Sequence, residues 1–341
     1  MSYLVLEDGT VFQGESVGAP GHALGEAVFI TSMTGYQEIV TDPSFAEQLI
    51  CFTAPMVGNY GVDPARSESR RPHARAVLMR EARGPQWTDW LRSHGIVALT
   101  GVDTRSLVLH LRDAGAMRAA AVAHDVPIEE TLAVVRAQPP MSGRALAAGV
   151  SIDEPYVHSD GDVRVAVVDY GCKRSILRRL AAAGAAVTVY PHDVDADELA
   201  GYDGVLLSNG PGDPEPLQDE VATIRDLLGR TRILGICLGH QLIGRAIGAT
   251  TSRLPFGHHG ANHPVLERAT GRVLVTSQNH GFAVAPSEAQ EATHVSLYDG
   301  TVEGLDFREL CARSVQFHPE AGPGPHDAWD IIERFVEDVR K

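Results

Sequence analysis

The stretch that most constrains this chain runs from residue 163 to residue 241, where apolar strands and helical segments alternate and stop at a cysteine. Val163-Arg-Val-Ala-Val-Val-Asp169 reads as a strand, 174–183 as a helix closing near Gly184, and Ala186-Val-Thr-Val-Tyr190 as the next strand. A helical turn over 197–202 leads to the strand Gly204-Val-Leu-Leu-Ser208 and the loop Asn209-Gly-Pro-Gly-Asp-Pro214. A helix over 221–228, with Glu220 in its first turn, precedes the strand Arg232-Ile-Leu-Gly-Ile236. Apolar strands separated by helices predict an open, mostly parallel sheet with helices on both faces. Ligands of such sheets bind beyond the carboxyl ends of the strands. The 209–213 loop and Cys237 follow consecutive strands, which puts them side by side at such ends.

The cysteine sits in Gly235-Ile-Cys-Leu-Gly-His-Gln241, and a helical pattern starts almost at once at Gln241. Strand, sharp turn, nucleophile and helix in this order form a nucleophile elbow with Cys in place of Ser. Gly235 and Gly239 free the space that a strained turn needs. A sulfur at a helix N-terminus is favoured as thiolate by the free N–H groups and the helix dipole. The competing reading is a buried, inert cysteine at a strand end.

A thiol nucleophile needs a base, and the base needs an orienting group. Of the fifteen histidines, His318 stands at the end of the strand Ser314-Val-Gln-Phe317 and precedes Pro319 and Glu320. Pro319 restricts His318 to extended geometry. Side chains at i and i+2 of an extended chain point the same way, so Glu320 reaches the ring and fixes its tautomer. A solvent-exposed turn is the alternative for His-Pro-Glu taken alone. His259 and His263 are spaced i, i+4, but neighbouring glycines and Pro264 oppose a helix, and no Cys or Glu completes a ligand set. No metal is expected.

Ahead of the sheet, Tyr3-Leu-Val-Leu6 and Thr10-Val-Phe12 around Asp8-Gly9 predict an opening hairpin. Thr31–Ser44 is polar and reads as a surface loop with a helix cap, or as a segment facing a substrate or a second domain. A helix is predicted from Asp103 or Thr104 to Gly115, with Leu107, His110, Leu111 and Ala114 on one face, and another over 128–136. Residues 1–150 thus read as a smaller mixed β/α domain, 151–162 as a polar, acidic linker, and 163–341 as the domain carrying Cys237. Beyond residue 250 the pattern is β-like, and Trp329, Ile332, Phe335, Val336 and Val339 form the apolar face of a closing helix.

The chain has 341 residues and a net charge of −15. That balance opposes binding to nucleic acid or to an anionic membrane surface, and no apolar run approaches a membrane span. Its four cysteines, Cys51, Cys172, Cys237 and Cys311, form no C-x-x-C motif and suit a reducing compartment better than a disulfide framework. The first residues lack the basic and apolar regions of a signal peptide, so a cytoplasmic location is expected.

With Cys237 in its elbow and His318-Pro-Glu320 downstream, the chain resembles class I glutamine amidotransferases. Leu207–Pro214, Phe256-Gly-His-His-Gly-Ala-Asn-His-Pro264, Gln278-Asn-His-Gly-Phe-Ala-Val284 and 318–327 narrow the resemblance to the small, glutamine-hydrolysing subunits of carbamoyl phosphate synthases. Leu6-Glu-Asp-Gly9, Thr31–Glu38, Thr41-Asp-Pro-Ser44 and Asp103-Thr-Arg105 extend it through the first domain, so it spans nearly the whole chain. The resemblance implies a class I amidotransferase-like fold and a Cys237–His318–Glu320 triad that hydrolyses L-glutamine through a glutamyl thioester. It further implies that Ser44, Gly210, Gly212, Leu238, Gln241, Asn279, Gly281 and Phe282 hold the glutamine, with Ser44 reaching in from the first domain. Backbone N–H groups near Leu238 and in the 209–212 loop are the implied oxyanion donors. No cofactor is implied for this chain. The implied partner is a large synthetase subunit, docking mainly on the first domain, which uses ATP and Mg to make carbamoyl phosphate from bicarbonate and the delivered ammonia.

Two departures stand within these motifs: Ala261 where a Gly is expected, and Phe317 where a Gly is also common. An amidotransferase subunit of another synthase, such as anthranilate or aminodeoxychorismate synthase, is the nearest alternative, but such subunits lack the first domain. A non-catalytic regulatory partner conflicts with the intact triad. A cysteine peptidase or esterase would need a long groove in place of a carboxamide pocket.

Overall fold

A computed structural model describes residues 2–285 and 292–341. The chain divides into two compact units, 1–141 with 255–260, and 142–254 with 261–341.

The first unit is built on a closed barrel. Its strands are β1 (Ser2–Leu6), β2 (Val11–Ser16), β3 (His22–Ile30), β4 (Gln48–Phe52), β5 (Ala76–Leu78), β6 (Val97–Thr100) and β7 (Met117–Val122), in the spatial order β1-β2-β6-β5-β4-β3-β7. The opening hairpin forms as expected, with Val5 opposite Val11. β3, β4, β5 and β6 run parallel, and β7 closes the barrel antiparallel to β3 and β1. Leu49 and Cys51 pack into one apolar cluster, Ile50 and Phe52 into another. Such two-sided burial makes these strands read as continuous apolar runs without alternation. Four helices accompany the barrel: α1 (Tyr36–Thr41), α2 (Pro85–Ser93), α3 (Thr104–Ala114) and α4 (Ile128–Ala137). Asp103 caps α3, accepting from the Ser106 N–H, and Leu107 and Leu111 are its buried positions. Within 31–44, residues 36–41 form a buried helix and not a surface loop, while Met33 is exposed. Tyr36, Gln37, Ile39, Val40 and Thr41 of α1 are buried, and the Gln37 amide is satisfied by Asp63 O at 2.7 Å and Ser67 Oγ at 2.9 Å. Buried polar groups with complete partners look like loop composition in a sequence.

The second unit holds an open sheet. Its strands are β8 (Tyr156–Ser159), β9 (Val163–Asp169), β10 (Ala185–Pro191), β11 (Gly204–Leu207), β12 (Arg232–Ile236), β13 (Thr251–Glu267, of which 255–260 are counted with the first unit), β14 (Arg272–Val284), β15 (Ala292–Ser296), β16 (Val302–Phe307) and β17 (Ala312–Val315), in the order β14-β13-β15-β16-β17-β12-β11-β9-β10-β8. The stretch β17-β12-β11-β9-β10 is parallel. Its helices are α5 (Arg174–Ala182), α6 (Ala196–Leu199), α7 (Gln218–Leu227), α8 (Leu238–Ala246) and α9 (Asp330–Arg340). Val165, Val167, Leu206 and Leu234 pack on one face with Ile176 and Leu180 of α5 and Ile332 of α9. Ala166, Val168, Val205 and Ile233 pack on the other with Val221 of α7 and Leu242 of α8. The two-residue period thus feeds two apolar cores, and the parallel run with helices on both faces is the expected one; β16, β15 and β13 extend it antiparallel on one side and β8 on the other.

Two boundaries move. The units part after residue 141 and not at 150. The 151–162 stretch, read as a linker, contains β8, which pairs antiparallel with β10. Its polar composition suits an edge strand, whose His158 and Val157 are exposed.

Candidate active site

Cys237 follows directly on the strand β12 and caps α8 with φ 54° and ψ −102°. A positive φ on a residue with a Cβ is strained and must be held by its surroundings. Here the surroundings are backbone. A Cβ on Gly235 would lie 2.7 Å from Gly239 C, and one on Gly239 would lie 2.2 Å from Leu207 O. Gly239 N–H donates to Ser208 O at 3.0 Å, which joins the elbow to the end of β11. The helix starts directly after the cysteine, at Leu238, and not at Gln241, because the turn itself supplies its first residues. The sulfur therefore sits at the helix N-terminus.

The other parts are assembled along one stretch of β14. Ser277 O accepts from the His318 N–H at 2.8 Å, Asn279 O accepts from the Cys237 thiol at 3.6 Å, and Phe282 O accepts from Gln241 Nε2 at 2.7 Å. Strand β17 stops at Val315, two residues earlier than expected, and the bridge to Ser277 takes over the task of holding His318. His318 Nδ1 and Glu320 Oε1 are 2.7 Å apart, both side chains buried. With Nδ1 committed to the carboxylate, Nε2 is the nitrogen left for proton transfer. Burial, the largest single influence, disfavours the imidazolium, and the Glu320 carboxylate opposes it by charge and by hydrogen bond. The Cys237 thiol acts in the same direction as Glu320, so the His318 pKa is pushed up to about 10. Ser277 and Asn279 stand two residues apart on β14, so this strand brings His318 and Cys237 to the same place.

Lys173 is the member that sequence reasoning missed. Its Nζ donates to Glu320 Oε1 at 2.9 Å and to Ala321 O at 2.7 Å, and the side chain is 2% exposed. Burial would raise the Glu320 carboxyl, but the Lys173 ammonium and then His318 hold it down, at about 2. One signal was available: Lys173 and Lys341 are the only lysines among 29 basic residues. At residue 173 the side chain is a compact ammonium, for which the planar fork of arginine is a poor substitute.

Cys237, Leu238, Gln241, Gly210, Gly212, Asn279, Gly281, Phe282, His318 and Glu320 all belong to the second unit. A Cβ on Gly210 would lie 2.8 Å from Leu238 Cδ2, so the 209–213 loop packs against the elbow. Gly281 is different, since an added Cβ there meets nothing within 4 Å. Ser44 belongs to the first unit, buried in the turn Pro43–Phe45, with its N–H on Asp42 Oδ1 at 2.9 Å.

The family model for glutamine amidotransferase class-I matches residues 166–339, and that for the carbamoyl-phosphate synthase small chain, CPSase domain, matches residues 4–121. The carbamoyl phosphate synthase small chain of Syntrophotalea carbinolica is 45% identical over 366 aligned positions, covering 99% of this chain and 97% of that one. The chain belongs to the carbamoyl phosphate synthase small-chain family. The small chain of Methanopyrus kandleri is likewise 45% identical, with 99% of both chains covered, and that of Chlorobaculum tepidum is 45% identical over 98% of this chain and 96% of that one. As a small chain, the protein is the glutamine amidotransferase subunit of a glutamine-hydrolysing carbamoyl phosphate synthase. No helix among the described residues is long and apolar enough to cross a membrane.

Proposed function

We propose that Cys237, His318 and Glu320 hydrolyse L-glutamine to glutamate and ammonia through a thioester. The observation that carries this reading is the buried His318–Glu320 pair, 2.7 Å apart, beside a cysteine held at positive φ on a helix N-terminus. The Cys237 sulfur attacks the carboxamide carbon as its proton passes to His318 Nε2, and the carbonyl electrons move to an oxyanion. Leu238 and the 209–212 loop offer N–H groups to that oxygen. The tetrahedral intermediate collapses with cleavage of the C–N bond, and His318 Nε2 gives its proton to the leaving ammonia. Water then attacks the thioester, His318 takes a proton from it, and glutamate leaves as the thiol is restored. Glu320 orients the ring and supports its charge throughout.

Gly210, Gly212, Leu238, Gln241, Asn279, Gly281 and Phe282 are the proposed glutamine contacts within the second unit, and Ser44 joins the proposed set on its motif Thr41-Asp-Pro-Ser44. The open space beside Gly281, where no protein atom requires a glycine, supports its place in that set. Gln241 Nε2 donates to Phe282 O and to Gln316 Oε1, which leaves its oxygen to accept from the ligand. The ammonia is consumed by a large synthetase subunit that binds this chain and uses ATP and Mg; this chain itself holds no cofactor. A role in another synthase is disfavoured by the small-chain match over 4–121.

Cys237→Ala tests the reading. In the complex with the large subunit, glutamine-dependent carbamoyl phosphate synthesis should vanish while synthesis from free ammonia persists. Retained glutaminase activity would remove Cys237 from the role of nucleophile.

A further inference from the structure

The segment that continues from the first unit, residues 142–152, is tied at two places to turns of the thiol site. Gly143 N–H donates to Asp213 Oδ2 at 2.8 Å, and Asp213 N–H donates back to Arg144 O at 2.9 Å. Ala145 and Gly212 form an isolated antiparallel bridge. A Cβ on Gly212 would lie 2.5 Å from Arg144 O, so segment and loop touch backbone to backbone. Further along, Ile152 N–H donates to Asp169 Oδ2 at 3.0 Å, while Asp169 Oδ1 accepts from Gly171 and Cys172 at 2.9 and 2.6 Å. That turn presents Lys173 to Glu320. Asn209 joins the two places: its Oδ1 accepts from Lys173 N–H at 3.2 Å and its Nδ2 donates to Gly171 O at 2.9 Å.

The 209–213 loop is therefore pinned at its start by Asn209 and at its end by Asp213. Asp213 is 4% exposed, and its second oxygen accepts from Glu215 N–H at 2.8 Å. We propose that Asp213 is a positioning residue which, through Gly143, clamps the 209–212 loop to the 142–152 segment and so sets the turnover of the thiol site. This rests on the reading of that loop as an oxyanion donor. Donors in such a site act only when held where charge develops, and a small displacement costs a large factor in rate. The same segment braces the Lys173 turn through Asp169, so one stretch of backbone steadies both the oxyanion donors and the group behind the base.

Two variants test the clamp in the full chain assembled with its large subunit. Asp213→Asn keeps the shape but leaves one acceptor oxygen for two N–H donors. Gly143→Ala adds a methyl that meets no atom within 4 Å and only strains a residue at φ 81°, so it loosens the clamp even where the first variant fails to fold. Each should lower kcat for glutamine about tenfold or more with KM changed less than about twofold. Hydrogen exchange of the peptide over 207–217 should quicken by a similar factor. Unchanged exchange in this peptide overturns the clamp, whatever happens to kcat. Faster exchange with unchanged kcat refutes the oxyanion reading of the loop and, with it, the proposal. A parent complex without glutaminase activity would instead fail the functional reading.

Discussion

Replacing Lys173 by Met isolates the contribution of the buried ammonium, because an unbranched apolar chain of similar length fills the same channel. The substitution removes two hydrogen bonds, to Glu320 Oε1 and Ala321 O, and leaves a carboxylate whose side chain is 0% exposed with His318 as its remaining cationic partner. Removing one partner of a buried pair costs about 3–5 kcal/mol. At roughly 2–4 °C per kcal/mol for a unit of this size, Tm should fall on the order of 10 °C. The chemistry should shift as well. Lys173 opposes the rise in the His318 pKa, so without it the ring holds its proton to higher pH. Hydrolysis of the thioester needs the neutral ring, so turnover near neutral pH should fall and the pH optimum of glutaminase should move to the alkaline side. Thermal melts and a pH–rate profile of the assembled complex read both effects. An unchanged Tm, or an optimum moved to the acid side, would refute the assignment of Lys173 as the support of Glu320.

Glu320→Gln should cost less activity than His318→Ala, because an orienting group is less essential than the base. The reverse order would exchange the assigned roles. The same variant tests the linkage to stability. The His318 pKa is raised from 6.5 to about 10, so its contribution is full below pH 6.5 and is lost as pH rises through about 10. The Glu320 pKa is lowered from 4.5 to about 2, so its contribution is present above pH 4.5 and is lost as pH falls through about 2. Stability should therefore decline between pH 6.5 and 10, and the decline should flatten in Glu320→Gln; equal slopes would contradict the pairing. Gly239→Ala places a methyl 2.2 Å from Leu207 O and should unfold the elbow, whereas Gly281→Ala meets nothing and should leave Tm unchanged while raising KM for glutamine. A KM unaffected by the second variant would take Gly281 out of the binding set.

The second unit was legible because its strands carry the simplest pattern in the chain. Val163–Asp169, Gly204–Leu207 and Arg232–Ile236 are apolar on both faces and separated by helices, and the elbow glycines mark where the backbone must pass close. His318-Pro-Glu320 was readable because a two-residue spacing in extended chain is a geometric statement. The first unit was harder. Its short parallel strand Ala76–Leu78 is too brief to show a period, and closure of the barrel depends on pairings far apart in sequence, such as β1 with β7. The helix within 31–44 was hidden because its polar groups, such as the Gln37 amide, are paired within the protein, and composition does not distinguish water from protein as the partner. Lys173 escaped for the same reason. Its meaning lies in a contact with Glu320, 147 residues away, and the only local trace is its rarity. Asp169, Asn209 and Asp213 likewise act through backbone groups, which carry no side-chain signature to read.

The proposed mechanism requires Cys237 to carry the glutamyl group during turnover. Mixing the assembled complex with L-glutamine, quenching in acid and mapping peptides by mass spectrometry should find a glutamyl thioester on the peptide containing Cys237, increased in Glu320→Gln, where hydrolysis of the thioester slows. A glutamyl group found instead on Cys51, Cys172 or Cys311, or steady turnover of glutamine with Cys237 blocked, would contradict it.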